Sequence, residues 1–431
     1  MGPMLIFDKS FLQSLNVDEA VMLDQMFCCV ITPLFFAETM ADLAKDTTRG
    51  RTAEQIVGGL AERTPVVQSY VNAYHQELIL DDLLGDRITM DGRPALPEGI
   101  PVRAEGKTGV VYKKSHEADA FERWQRGRFS EVERITAQLW RDALSDLDLT
   151  AISKAYRSAM RREIIPKSHE EARTLARNII DAPNQNYRAL MLAHSLLELP
   201  PEALKDIVRA WRTAGTPPLR DYAPFAAHCL EVDLYFSLAL SNGIIGDRRA
   251  SNKIDITYLH YLPFAQIFVS NDRLHRSSVP LFLGPNQHFV WGQDLKASLG
   301  ALNATFQAMP DEAKAMGLFK LADRPPVDDT GLCGELWDKC RPGWRKPRKP
   351  IPELTPEQHA EIVGDGDRFR EAAYRRPATY VGSLTQPSNF DNVLIERAIP
   401  RQRGSWRMFS AEIEKSEDEL NVRRRETKHL D

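Results

Sequence analysis

The apolar positions open in an unbroken run, "MLIF" at 4–7, which stops at Asp8. Four consecutive apolar residues closed by an acid suit a short strand buried on both faces. Ser10 is placed to cap a helix spelled by "FLQSLNVDEAVMLDQMF". "CCVIT" reads as a second strand, and Pro33 suits the first turn of the next helix, "LFFAETMADLAK". That helix carries Glu38 and Asp42 four residues apart, on one face. Strand, helix, strand, helix predicts a parallel sheet.

The pattern changes over residues 49–220. "RTAEQIVGGLAERTP" has helical spacing, and "DRITMDGRPALPEGIPVRAEGKTGVVY" reads as a loop with a β-hairpin in it. Amphipathic stretches follow at 116–147, 152–163, 168–181, 185–199 and 202–213. This segment is expected to be a mainly helical insertion between two halves of a core.

The strand and helix alternation resumes at 221–300. "DYAPFAAHCLEVDLYFSLALSNGII" reads as a long buried helix ending near Asn242-Gly243. After the polar loop "GDRRASNK", Asp255 opens a helix with Tyr258, Leu259 and Leu262 at +3, +4 and +7, stopped by Pro263. "QIFVS" is a strand ending at Asn271-Asp272, "VPLFLG" reads as a further β segment, and "QDLKASLGALNATFQAM" as a helix. The remaining 301–431 form an extension that is basic and Pro-rich in part, with the exposed tail "NVRRRETKHLD".

At 431 residues the chain is long enough for two or three compact units. Its 43% hydrophobic and 27% charged content are those of a soluble globular protein. A net charge of −4 gives no global attraction to polyanions, so any such binding needs local patches or a bound metal. The five cysteines form no CxxC pair, which points to a reduced, cytoplasmic setting and away from a zinc site. No secretory signal, and no apolar run of membrane-spanning length, is visible.

The informative chemistry lies in the acids. Ligands of open parallel sheets bind outside the carboxyl ends of the strands. Asp8 and Asp272 fall at such ends, Asp255 at the start of a helix on the same rim, and Glu38 in the helix leaving the second strand. Four carboxylates in one crevice repel one another, and a divalent cation with oxygen ligands, Mg²⁺ or Mn²⁺, resolves the repulsion. "LIFDKSFLQSL", "VITPLFFAETMADL" and "NKIDITYLHYLPFAQIFVSNDRLH" resemble the motifs of PIN-like nucleases. The resemblance implies a three-layer α/β/α core from residues 1–48 and 221–300. It implies metal-dependent phosphodiester hydrolysis, of RNA more than DNA, with Asp8, Glu38, Asp255 and Asp272 as metal ligands. Asp247, in the loop before Asp255, stands in reserve as a further metal ligand. Ser10 and Asn271 are placed to orient carboxylates or hold waters.

Arg248, Arg249 and Lys253 before Asp255, and Arg273 and Arg276 after Asp272, are candidates to guide a nucleic-acid backbone. "KAYRSAMRR" at 154–162 and the stretch from Arg341 to Lys349 around Trp344 are further basic candidates. Self-association is compatible with the sequence, and no protein partner is indicated. Two other motifs fail. "EGKT" lacks the first glycine of a phosphate loop, since position 101 is Pro. "DKS" has Ser10 where an aspartyl-phosphate phosphatase needs a second Asp. The rival expectations are an inactive PIN-like scaffold that binds nucleic acid or protein, and a metal-dependent phosphatase.

Overall fold

The computed structural model describes residues 1–45, 50–159, 165–347, 355–383, 390–416 and 418. In chain order its longer strands are β1 (Met4–Phe7), β2 (Cys28–Ile31), β3 (Ser69–Val71), β4 (Ala95–Ala104), β5 (Lys107–Tyr112), β6 (Ile267–Ser270), β7 (His288–Trp291), β8 (Tyr380–Ser383) and β9 (Asn392–Ile395). β3-β2-β1-β6-β7 form a five-stranded sheet in which every neighbouring pair is parallel. The class is therefore α/β with a central parallel sheet. β1, β2 and β6 are buried throughout, which is why they read as unbroken apolar runs.

The strand order sets where a site can form. The chain steps from β1 outward to β2 and β3, then returns to the other side of β1 and steps outward again through β6 to β7. Right-handed connections put those two sets of steps on opposite faces of the sheet. The chain parts between β1 and β6, so a crevice opens at their carboxyl ends. The register is fixed by Leu5 beside Ile267 and Phe7 beside Val269, with the Asp8 amide donating to the Val269 carbonyl at 3.3 Å. Asp8 and Ser270 thus stand next to each other.

Several elements differ from the sequence expectations. Residues 11–27 form parts of two helices, Lys9–Ser14 and Val17–Met26, because Asn16 and Glu19 close a reciprocal capping box in mid-run. The cap of the first helix is Asp8, and Ser10 lies inside its first turn. "VPLFLG" is no strand: residues up to Phe282 end the helix Arg273–Phe282, which contains Pro280, and the outer strand is β7 instead. Asp255 lies in the body of the helix Ser251–Thr257, not at its start, and a 3₁₀ segment, Tyr258–Phe264, continues through Pro263.

Within the segment read as an insertion, β3 completes the sheet, and β4 and β5 form the expected hairpin. Its turn holds Glu105 and Gly106 at φ of 48° and 83°, the left-handed pair that a tight hairpin turn favours. β8 and β9 join that hairpin in a second sheet of order β8-β4-β5-β9, so the module is spliced from two distant segments. Phe369 of the helix Pro356–Ala373 packs on it with Ile100, Val102 and Val111.

The C-terminal part is fastened to the core. Trp337 is buried and its indole N–H donates to the Met26 carbonyl at 3.0 Å; Trp406 and Met408 are buried as well. The basic stretch is partly absorbed here: Arg341 donates to the Gly2 carbonyl, Arg345 pairs with Asp338, and Trp344 is buried. Arg348 and Lys349 lie outside the described residues, as do 160–162 of "KAYRSAMRR" and the tail from 419. Arg403 forms a buried ion pair with Asp24 at 2.5 Å, and Asp24 also accepts from the amides of Val66, Val67 and Gln68. Among the described residues no helix is long and apolar enough to cross a membrane.

Removing one member of a fully buried, hydrogen-bonded ion pair leaves an uncompensated charge. Arg403→Ala should lower unfolding stability by about 3 kcal/mol in urea titrations. Arg401→Ala, which removes an exposed pair with Asp418, should change it by less than about 1 kcal/mol.

Candidate acid site at the carboxyl ends of β1 and β6

Asp8 is the first residue past β1 and caps the helix Lys9–Ser14. Its Oδ1 accepts the Phe11 amide at 3.0 Å. Its Oδ2 accepts the Ser10 and Ser270 hydroxyls, each at 2.7 Å, and lies 3.4 Å from Nδ1 of His275. Ser10 in turn accepts the Asn271 amide at 3.1 Å, which ties the end of β1 to the end of β6. Asn271 is pressed close to the backbone of Gly292, where a Cβ would fall 2.6 Å from its Oδ1.

Asp272 repeats the arrangement at the next strand end. It caps the helix Arg273–Phe282, its Oδ1 accepting the Leu274 amide at 2.6 Å. Its own amide donates to Ser270 Oγ at 2.8 Å. Capping at position 272 turns residue 275 inward, so His275 is fully buried beneath the site.

Nε2 of His275 is 2.6 Å from the main-chain carbonyl of Asp255, which can only accept, so this nitrogen carries a proton. Nδ1 is 2.8 Å from Ser270 Oγ, whose own hydrogen is directed at Asp8. Nδ1 therefore donates as well, and the ring is an imidazolium. Burial alone pushes His275 down, but the Asp8 carboxylate and the Asp255 groups outweigh it and raise it to about 9. Burial would raise Asp8; the hydrogen bond and charge of His275, with both serines, hold it below the usual carboxylate range.

Glu38 is brought in by local packing. Thr32 caps the helix Pro33–Ala41 with Pro33 in its first turn, and Phe35 seats edge-on against Phe7 of β1 at 5.1 Å between centroids. One turn later Glu38 faces the hydroxyl of Tyr258, which donates to it at 2.5 Å. Burial raises Glu38, the nearby Lys9 ammonium and Tyr258 oppose that, and Asp8 adds to it. Lys9 is itself held by the Glu38 carbonyl and the Asp42 carboxylate, both at 3.1 Å.

Asp255 is the least satisfied of the four. Its carboxyl forms no hydrogen bond or ion pair with a described residue. Burial is the main cause of its rise to about 7; His275 opposes it, and the charges of Asp272, Glu38 and Asp8 add to it. The folding chain thus gathers Asp8, Glu38, Asp255 and Asp272 close enough to act on one another. Asp247 does not share in this: it is half-buried in the bend before Ser251 and pairs with no described residue.

Oxygen donors of this kind suit a hard divalent cation, and the mutual repulsion is what such an ion would relieve. Among the described residues, however, no three His, Cys, Asp or Glu side chains converge on one point as a ready ligand set. The donor chemistry fits such an ion, while its ligand oxygens are occupied by protein donors at Asp8, Glu38 and one side of Asp272.

The basic candidates divide. Arg248, Arg249 and Arg273 are exposed and form no ion pair with a described residue. Lys253 instead pairs with buried Asp233 at 3.1 Å, and Arg276 lies over the Trp291 ring at 5.3 Å. Of the residues that hold the acids in place, sequence reasoning takes His275 and Tyr258 as structural and does not single out Ser270 or Lys9. The signal available for His275 was its place three residues after a capping acid.

Stability should follow these groups in the metal-free protein. The folded state holds the His275 proton up to about 9, whereas an unfolded His loses it near 6.5. Between those values the native state binds more protons, so stability falls as pH rises, by on the order of 3 kcal/mol in all. Denaturant titrations at pH 7 and 9 should show this fall, and His275→Gln should flatten it. Carboxyl NMR should place the Asp255 titration near pH 7. In Asp272→Asn it should move lower, because one like charge is gone.

Compared with family models, curated proteins and solved structures, the chain matches none.

Proposed function

We propose that the protein is a PIN-like, metal-dependent nuclease that hydrolyses phosphodiester bonds, preferentially in RNA. The observation that carries this reading is the crevice between β1 and β6, where carboxylates from four separated elements lie near enough for the charges of three to raise the fourth, Asp255. The acids follow the PIN-like order: one after the first strand, one in the helix after the second, one in a later helix and one after the strand that follows it. A bound Mg²⁺ or Mn²⁺, held by Asp8, Glu38, Asp255 and Asp272, would supply charge neutralisation at the phosphate and acidification of water.

The chain's own groups do the rest. Ser10, Ser270 and His275 lock the Asp8 carboxylate in one orientation, and Tyr258 does the same for Glu38. Asp255, which accepts no hydrogen bond from a described residue, keeps its carboxylate oxygens free for such an ion. Arg273, beside Asp272, and Arg248 and Arg249 form no ion pair with a described residue and offer positive charge to a phosphate backbone.

One observation favours a second reading, a PIN-like scaffold that binds nucleic acid without cutting it. The His275 imidazolium already compensates Asp8, and among the described residues no three ligands converge.

A cleavage assay separates the two. Purified protein is incubated with single-stranded RNA, single-stranded DNA and duplex DNA in EDTA, Mg²⁺ or Mn²⁺. Cleavage of RNA in metal and none in EDTA is expected, with Asp8→Asn and Asp272→Asn slower by at least about 100-fold. Ser270→Ala should cost about 10- to 100-fold, the usual effect of removing a group that orients a ligand. Cleavage by both Asn variants at the wild-type rate would overturn the assignment of the site. Binding with no cleavage in any metal would establish the scaffold, and turnover of small phosphoesters alone would establish a phosphatase.

A further inference from the structure

The helix Glu131–Asp146 has one finished face and one that is not. Ser130 and Glu133 close a capping box at its start, and Glu133 pairs with Arg123 at 2.6 Å. Its inner face, with buried Ala137 and half-buried Trp140 and Leu144, packs against the helix Pro33–Ala41 that carries Glu38. On the outer face Val132, Ile135 and Leu139 are 71%, 52% and 63% exposed. Single exposed aliphatics need no explanation, but three in line at i, i+3 and i+7 are the anchors of a helix-to-helix contact.

The same line continues through Asp142 and Asp146, since 132, 135, 139, 142 and 146 advance by alternating threes and fours. Both aspartates are exposed, as is Glu131 beside the stripe, and none of the three forms an ion pair with a described residue. The seam is therefore aliphatic in its first half and acidic in its second.

That sequence of chemistry selects the occupant. Two copies paired antiparallel would set Val132 and Ile135 against Asp146 and Asp142. Two copies paired parallel would set each aspartate against itself. Both arrangements desolvate carboxylates without a counter-charge, and an anionic lipid surface is repelled for the same reason. We propose that this face docks an amphipathic helix of a partner protein that carries aliphatic residues over the first half of the seam and Lys or Arg over the second. The inference is independent of the nuclease reading, because it uses no residue of the acid site.

The test uses the full chain and synthetic helical peptides. The probes carry leucine at three successive heptad positions and arginine at the next two, in either sequence direction. Controls are a scrambled peptide of identical composition and a peptide with glutamate in place of arginine. Fluorescence anisotropy should show binding of one probe and at least about tenfold weaker binding of both controls. Ile135→Gln with Leu139→Gln should weaken the probe at least about tenfold with circular dichroism unchanged. Asp142→Lys with Asp146→Lys should transfer preference to the glutamate peptide, a reversal that a misfolded protein cannot produce. Equal binding of the scrambled peptide, or no response to either double variant, would overturn the proposal. So would concentration-dependent self-association abolished by the glutamine variant, which would assign the face to a second copy. Binding to phosphatidylserine vesicles through the same residues would overturn it in favour of a membrane surface.

Discussion

The acid site depends on one contact, the bridge that Ser270 makes between Asp8 at the end of β1 and Asp272 at the end of β6. The serine hydroxyl donates to Asp8 and accepts the Asp272 amide, so the two strand ends are joined through a single oxygen. This is possible only because β1 and β6 are neighbours in parallel register, which brings Asp8 level with Ser270. The hydrophobic effect acting on "MLIF" and "IFVS" thus determines where two carboxylates lie. Their own electrostatics would drive them apart.

Gathering like charges at a half-buried rim carries a cost, and its distribution among the four acids is uneven. Asp8 is compensated by a buried imidazolium and two hydroxyls, and Glu38 by a tyrosine and the nearby Lys9. Asp255 accepts no hydrogen bond from a described residue and is offset only through space by His275, and its rise from 3.8 to about 7 corresponds to on the order of 4 kcal/mol against its ionised form. A fold that needed these acids only for stability would gain by replacing Asp255 with an apolar residue of similar volume. The least compensated position singles out Asp255 within the group.

Much of this frame was legible in the residues. Continuous apolar runs gave β1, β2 and β6, and acids just past them marked the rim, because burial on both faces leaves few alternatives for runs of four. β3 was missed, since "SYV" is half-buried and carries no run. β7 was missed because "VPLFLG", whose apolar run ends a helix, was read as the further β segment in place of "HFVW". The splice of β8 and β9 onto the β4–β5 hairpin joins residues more than 250 positions apart, as in Gly109 beside Asn392. No local pattern encodes such a pairing. The supporting groups were invisible for a related reason: His275 and Tyr258 gain their roles from neighbours distant in sequence, and alone each reads as core.

An aspartate at a strand end is more often a helix cap than a ligand, and here the cap leaves the second carboxylate oxygen for other partners. In Asp8 the cap uses Oδ1, bonded to the Phe11 amide, while Oδ2 takes the serines and His275. In Asp272 the cap again uses Oδ1. A carboxylate has lone pairs enough for both tasks, and its negative charge also favours the positive end of the helix it starts. The cap fixes the side-chain rotamer at no expense to the second oxygen, so local helix geometry does the positioning that a site requires. Asparagine caps a helix about as well as aspartate but brings no charge. Substitution to asparagine therefore spares the cap: whatever survives belongs to it, and whatever is lost belongs to the charge or, at Asp8, to the acceptor bonds of Oδ2.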